Sequence, residues 1–349
     1  MKYPDVDVGK VFHLNKILIN KSFRLFWIQT KDFRIRCSEY GFNLNKPRAD
    51  ILIIPGLSEF IERYDQIAIK FTERNFRVSV IDLPGQGLST RFGNPKQVID
   101  VDTFQFYWDA IEAVVLNLDL GKQRGLIFLG NSLGGLLSIK YQISKSSIFV
   151  SPSLTICLAP MMGLPVSSIL QTFILYILKV LNLFKLSNRK IPSNLASIFS
   201  AFGLVGKNVK TSLSKASTFW EKPENIEYYG KSKVEDATKH FINNQDLETE
   251  GPSWNWVGNA IVECRSLFKI NSFSNYNSET LLILADDEYV TDPKAQEKAL
   301  KIIPNVNLLR LPSCRHDIIH EKDEVQEKFW KGIDGFIEKN KLKFETVHS

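Results

Sequence analysis

The pentapeptide Gly130-Asn131-Ser132-Leu133-Gly134 holds one serine between two glycines at the spacing G-x-S-x-G. A short apolar run, Gly125–Leu129, leads into it, and a segment of helical periodicity, Leu133–Tyr141, follows at once. A serine on such a strand-to-helix turn sits on strained backbone, and glycines beside it let neighbouring chain approach where a Cβ would collide. The turn lifts the hydroxyl above the sheet and aims the next amide at the same point. A hydroxyl is a weak nucleophile, so the chemistry needs an adjacent base and a carboxylate to orient that base.

Where this elbow occurs, the chain order is serine, acid, histidine. There are five histidines. His13 and His348 lie near the ends and His240 in an irregular helical region. His316 follows the last strand-like run by five residues, on the loop before the final helix, and is the expected base. His320 begins the next turn and reads as a partly exposed helix residue. The acid is sought in Ala285-Asp-Asp-Glu-Tyr-Val-Thr-Asp292. Asp292 precedes Pro293 and a helix, which suits an N-cap. Glu288 is the first choice, because a residue a few positions past the strand can curl back under the histidine. Asp287 is the second choice and Asp286 the third.

Acyl transfer builds negative charge on a carbonyl oxygen, and losing one preorganised N–H donor there costs about 3–4 kcal/mol. The expected donors are the amides of Leu133 and Leu57, with Gly56 giving backbone freedom to Pro55-Gly56-Leu57-Ser58-Glu59. Asp82-Leu-Pro-Gly-Gln-Gly-Leu-Ser89 is glycine-rich but lacks GK[ST], so it reads as a supporting turn rather than a phosphate loop.

The elements that must position these groups alternate. Phe23–Gln29 and Phe33–Tyr40 read as a hairpin. Strands are expected at Ile51–Ile54, Arg77–Ile81, Gly125–Leu129, Leu154–Leu158, Leu281–Ala285 and Val306–Leu311. Helices are expected at Arg63–Arg74, Thr103–Leu118, Leu133–Tyr141, Asp292–Ile303 and Glu324–Asn340. Short, nearly all-apolar strands between helices imply a mostly parallel central sheet covered on both faces. From 160 to 271 the alternation gives way to helical, irregular sequence. The expected organisation is therefore a catalytic α/β domain of residues 1–159 and 272–349, with an inserted helical cap of residues 160–271.

The 349 residues are 44% apolar and 23% charged, with Lys+Arg 44 against Asp+Glu 38. Those fractions exclude disordered, collagenous and coiled-coil classes. Four dispersed cysteines form no CxxC and no zinc spacing, so neither a disulfide scaffold nor a metal site is expected. The excess of basic residues is mild and spread out, which disfavours nucleic acid and leaves an anionic lipid surface open. MKYPDVDVGK carries acids and a proline where an export signal needs a basic start and an apolar run. The most apolar stretch, 164–186, contains Lys179 and Lys185, and a mid-segment lysine costs about 2.5–3.5 kcal/mol in a spanning helix. It is expected to touch lipid or cover an apolar pocket without spanning. A cytoplasmic location follows as the expectation, with peripheral contact at the inner face of the membrane.

In the order of these motifs the chain resembles the α/β-hydrolase superfamily. Within that superfamily it is similar to the bacterial lysophospholipase and monoacylglycerol lipase group, also described as serine-aminopeptidase-like. Pro55-Gly56 with Glu59 and Tyr64 downstream, Asp82–Ser89, Gly130–Gly134, Ala159-Pro-Met-Met-Gly163 and Gly251-Pro-Ser-Trp-Asn-Trp256 carry the resemblance. It departs at Pro55, where monoacylglycerol lipases usually have histidine, and at Asn131 and Leu133 beside the serine. The resemblance implies the α/β-hydrolase fold, a cap over the site, and a triad of Ser132, Glu288 and His316. No cofactor is implied.

The cap bears on the substrate. On a helical projection of 164–186, Ile169, Phe173, Ile177, Val180 and Phe184 share one face, with Ser168, Gln171, Lys179 and Asn182 opposite. With Lys185, Arg189 and Lys190 nearby, such an arc suits an acyl-chain groove, docking on an anionic leaflet, or packing on the catalytic domain. Trp254 and Trp256 are candidate pocket residues. The expected reaction is hydrolysis of a single-chain lipid ester, a lysophospholipid or monoacylglycerol, through an acyl-enzyme. The alternatives are an aminopeptidase-like amidase, which would need a cap acid such as Glu221, Glu224 or Glu227, and a non-catalytic lipid-binding protein.

Overall fold

The computed structural model describes residues 11–14, 23–144, 150–206, 209 and 213–345. The segment 1–10, in which no export signal is expected, lies outside the described residues, as do His348 and the side chain of His13.

The described chain builds one nine-stranded sheet in the order β1-β2-β3-β5-β4-β6-β7-β8-β9. Strands β1 (Val11–Leu14), β2 (Phe23–Gln29) and β3 (Arg34–Tyr40) pair antiparallel, and β3 pairs antiparallel with β5 (Arg77–Ile81). From β5 onward, β4 (Asp50–Ile54), β6 (Leu126–Asn131), β7 (Leu154–Leu158), β8 (Glu279–Ala285) and β9 (Val306–Leu311) run parallel. The mostly parallel α/β sheet inferred from the strand pattern is therefore present.

Successive side chains of a strand point to opposite faces, and here both faces are dry. Along β4, Leu52 and Ile54 join one core and Ile51 and Ile53 the other; Phe128 and Leu129 divide likewise on β6. Helices α1 (Asp65–Glu73), α2 (Gln105–Asn117) and α3 (Leu133–Ser144) connect the early strands. The helix expected at Arg63 begins as a 3-10 turn, Ile61–Tyr64, before α1. Asp82 Oδ1 accepts the Ile61 amide at 2.8 Å and draws the chain into that tighter turn.

Between β7 and β8 lie α4 (Ser168–Leu183), α5 (Ser193–Ala201), α6 (Ala216–Trp220), α7 (Pro223–Tyr229), α8 (Lys231–Asn243) and α9 (Trp254–Leu267). The Ser167 side chain caps α4 by accepting the Leu170 amide, and the helix stops before Lys185 at φ 55. Its 16 residues reach roughly 24 Å, short of a hydrocarbon core of about 30 Å. No helix of the described residues is long and apolar enough to cross a membrane. A satellite core of Trp220, Tyr229, Val234 and Phe241 closes this inserted stretch onto Phe60, in the loop after β4. The chain ends with α10 (Pro293–Leu300), α11 (Asp323–Lys339) and α12 (Leu342–Glu345), α10 and α11 lying on opposite faces of the sheet.

Candidate active site

Ser132 occupies the corner between β6 and α3 with φ 49, a left-handed conformation that side chains rarely adopt. Its amide donates to Leu158 O at 2.8 Å and its carbonyl accepts the Met161 amide at 2.9 Å, so the end of β7 and the turn after it hold the corner. The two glycines have separate steric causes. A Cβ on Gly134 would lie 1.9 Å from Ile54 O, and one on Gly130 would lie 2.3 Å from Gly134 O.

The loop after β9 carries His316 to this corner. Its Nε2 lies 3.0 Å from Ser132 Oγ, and its Nδ1 lies 2.7 Å from Glu288 Oε2. The Glu288 side chain is 1% exposed, and its second oxygen accepts the amides of Val290 and Thr291. Burial alone would push that carboxyl up. The neighbouring imidazole and these hydrogen bonds outweigh burial and hold it down at about 2. Burial opposes charge on His316, yet the Glu288 carboxylate raises its pKa above 6.5. This chain of groups can draw a proton from the serine hydroxyl while keeping the imidazole in one tautomer.

The other loop acids lie elsewhere. Asp286 and Asp287 are exposed, and Asp292 caps α10 by accepting the Lys294 amide at 2.9 Å. His320, expected as a partly exposed helix residue, is partly exposed but stands in a 3-10 turn, with Nδ1 3.0 Å from Asp317 and 3.2 Å from an Arg63 nitrogen.

The loop after β4 lies beside the serine: a Cβ on Gly56 would be 3.3 Å from Ser132 Cβ. Leu57 lines the space at Ser132, and Leu133 opens α3. Glu59 takes the Gly56 amide at 2.5 Å and also accepts from Tyr64 Oη and from Asn131 Nδ2 at 3.0 Å. Buried Gln86, from the glycine-rich turn, donates to the carbonyls of Gly56 at 2.6 Å and Glu59 at 3.0 Å. Arg63 stands 3.6 Å from Glu59 and 2.8 Å from Asp317, with its guanidinium 5.0 Å from the Trp220 ring centre. Neither Gln86 nor Arg63 was expected here. The i,i+4 spacing of Glu59 and Arg63 is the one local signal that could have found the latter.

Two cavities meet at Ser132. One is partly polar, lined by Glu59, Arg63, Asn131, Lys215 and His316. The other is apolar, running under α4 and α5 past Met161, Leu170, Ile174, Ala196, Trp254 and Trp256. Glu221, Glu224 and Glu227, the cap acids an aminopeptidase was expected to use, line neither. Among the described residues, no group of three His, Cys, Asp or Glu could hold a metal ion.

The family model described as serine aminopeptidase, S33 matches residues 45–323. The probable lysophospholipase L2 of Haemophilus influenzae is 21% identical over 295 residues, covering 82% of this chain and 83% of the relative. Lysophospholipase L2 of Escherichia coli K12 is 22% identical over 301 residues, covering 83% and 80%. A soluble variant of monoglyceride lipase from Saccharomyces cerevisiae, solved with a substrate analog, superposes with a TM-score of 0.68 at 16% identity, covering 92% of this chain and 97% of that one.

Proposed function

This chain belongs to the serine aminopeptidase S33 family of α/β-hydrolases, and we propose that it hydrolyses the carboxylic ester of a single-chain lipid, a lysophospholipid or monoacylglycerol. One observation carries the reading: the Ser132 hydroxyl, bonded to His316, stands where an apolar chamber opens into a partly polar one. The chamber suits an acyl chain and the other side a head group. The two lysophospholipases and the lipase fold support the same substrate class.

In this reading Ser132 Oγ attacks the ester carbonyl as His316 Nε2 takes its proton. The oxyanion is held by the amides of Leu57 and Leu133, while Glu288 stabilises the imidazolium. The tetrahedral intermediate collapses, His316 returns the proton to the departing alkoxide, and the acyl group stays on Ser132. Water, deprotonated by His316, then attacks the acyl-enzyme; His316 passes that proton to Ser132 Oγ as the acyl bond breaks and the fatty acid leaves. Residues 160–271 act as the cap that shields the ester from bulk water.

The test is an assay of the purified protein on lysophosphatidylcholine, a long-chain monoacylglycerol and an aminoacyl amide. Fatty acid release from the lipids without amine release from the amide is the expected result. Preferred cleavage of the amide would overturn the reading.

A further inference from the structure

Helix α4 is apolar nearly all round, but only one stripe of it packs inward. Leu170 and Ile174 are 3% and 7% exposed, and α9 receives the helix at Gly258, where a Cβ would sit 2.3 Å from Leu178 Cδ2. The neighbouring arc is in solvent: Ile169 is 78% exposed and Leu183 82%, with Phe173, Tyr176, Val180 and Phe184 between them. At 100° per residue these six lie within an arc of roughly 100°. Phe202, just past α5, adds a side chain 75% exposed, and Ile198 on α5 is exposed too. Half of the large apolar side chains exposed among the described residues fall between Ile169 and Phe202. A solvated protein rarely gathers such residues on one side without a partner.

The charge around this face names the partner. The stretch that carries α4 and α5, residues 160–220, contains seven Lys and Arg and no Asp or Glu, whereas the rest of the chain has 37 Lys and Arg against 38 Asp and Glu. Lys179 flanks the apolar arc by projection, and Lys179, Lys185 and Arg189 are exposed. A second copy of the same face would bring these cations together, whereas an anionic lipid surface complements both the charge and the apolar arc. We propose that the outer face of α4 and α5 docks on an anionic bilayer. Because the inner faces of the same helices line the chamber at Ser132, docking puts the leaflet one helix thickness from the chamber, so an acyl chain can enter without crossing open water.

Flotation of the full chain with vesicles of phosphatidylcholine alone, or of phosphatidylcholine and phosphatidylglycerol in equal parts, tests this. Wild type is expected to float with the anionic vesicles and more weakly with the neutral ones. Lys179→Glu with Lys185→Glu should weaken anionic binding about thirtyfold. Phe173→Ser with Leu183→Ser should weaken binding to both kinds of vesicle. Both pairs should hydrolyse a soluble short-chain ester at the wild-type rate, and Ser132→Ala should float like wild type, which separates docking from catalysis. Wild type left with the unbound protein, or both variant pairs floating unchanged, would overturn the proposal. So would a lipid-free dimer in sedimentation that Phe173→Ser with Leu183→Ser dissolves, since the occupant would then be a second copy.

Discussion

His316 and Glu288 face each other across 2.7 Å, and the glutamate's other oxygen is fixed by the backbone of Val290 and Thr291. The carboxylate is thus aimed before substrate arrives. Glu288→Gln keeps the shape but loses the charge and favours the wrong tautomer, so kcat should fall roughly a thousandfold or more. Asp287→Asn and His320→Ala should retain most of the activity. Near-normal turnover by Glu288→Gln would reject the assignment.

The same pair sets a pH dependence. His316 must be neutral to accept a proton, and Glu288 raises its pKa above 6.5, so kcat/KM should climb through a midpoint on the alkaline side of 6.5. In Glu288→Gln burial dominates and the midpoint should move down. For folding the signs are opposite. The raised histidine adds stability below 6.5 that fades as pH rises through its folded value. The depressed Glu288 adds stability above 4.5 that is lost as pH falls toward 2. A pH–rate profile with a midpoint below 6.5 in the wild type would contradict this.

Gln86 holds the carbonyls on either side of Leu57 and Ser58. Gln86→Ala leaves those buried acceptors unpaired, costing about 1–3 kcal/mol in urea denaturation. Loosening the loop should lower kcat by roughly a hundredfold with a smaller change in KM.

Glycines at two helical positions should respond oppositely. Gly134→Ala drives a methyl into Ile54 O and should cost more than about 3 kcal/mol. Gly335, on α11, has nothing within 4 Å of an added Cβ, so Gly335→Ala should stabilise by about 0.5–1 kcal/mol. Thermal melts of the two variants check the pair.

Ala196 lines the apolar chamber and is 3% exposed. Ala196→Phe should fill that space, lowering kcat/KM on long-chain esters about tenfold or more while sparing short ones. Equal losses on both would mean that the acyl chain lies elsewhere.

The fold is legible in the sequence because its parallel strands are short apolar runs bounded by turn residues, as at Ile51–Ile54 before Pro55-Gly56. Ser132 and His316 are readable for the same reason: each stands at a fixed distance from a strand end. Choosing Glu288 over Asp286 and Asp287 needs the loop's curl, which spacing states only loosely. Gln86 and Arg63 act through partners far along the chain, such as Arg63 with Asp317, and no local pattern records such pairs. Periodicity found the apolar arc of α4 but left its direction open. The buried stripe is the neighbouring one, Leu170 and Ile174, because Gly258 lets α9 approach there.

The proposed function requires Ser132 to be the residue that is acylated, which covalent labelling tests directly. A fluorophosphonate probe, followed by peptide mapping, should modify wild type at Ser132 alone and leave Ser132→Ala unlabelled. Label on another residue, or undiminished labelling of Ser132→Ala, would contradict the account.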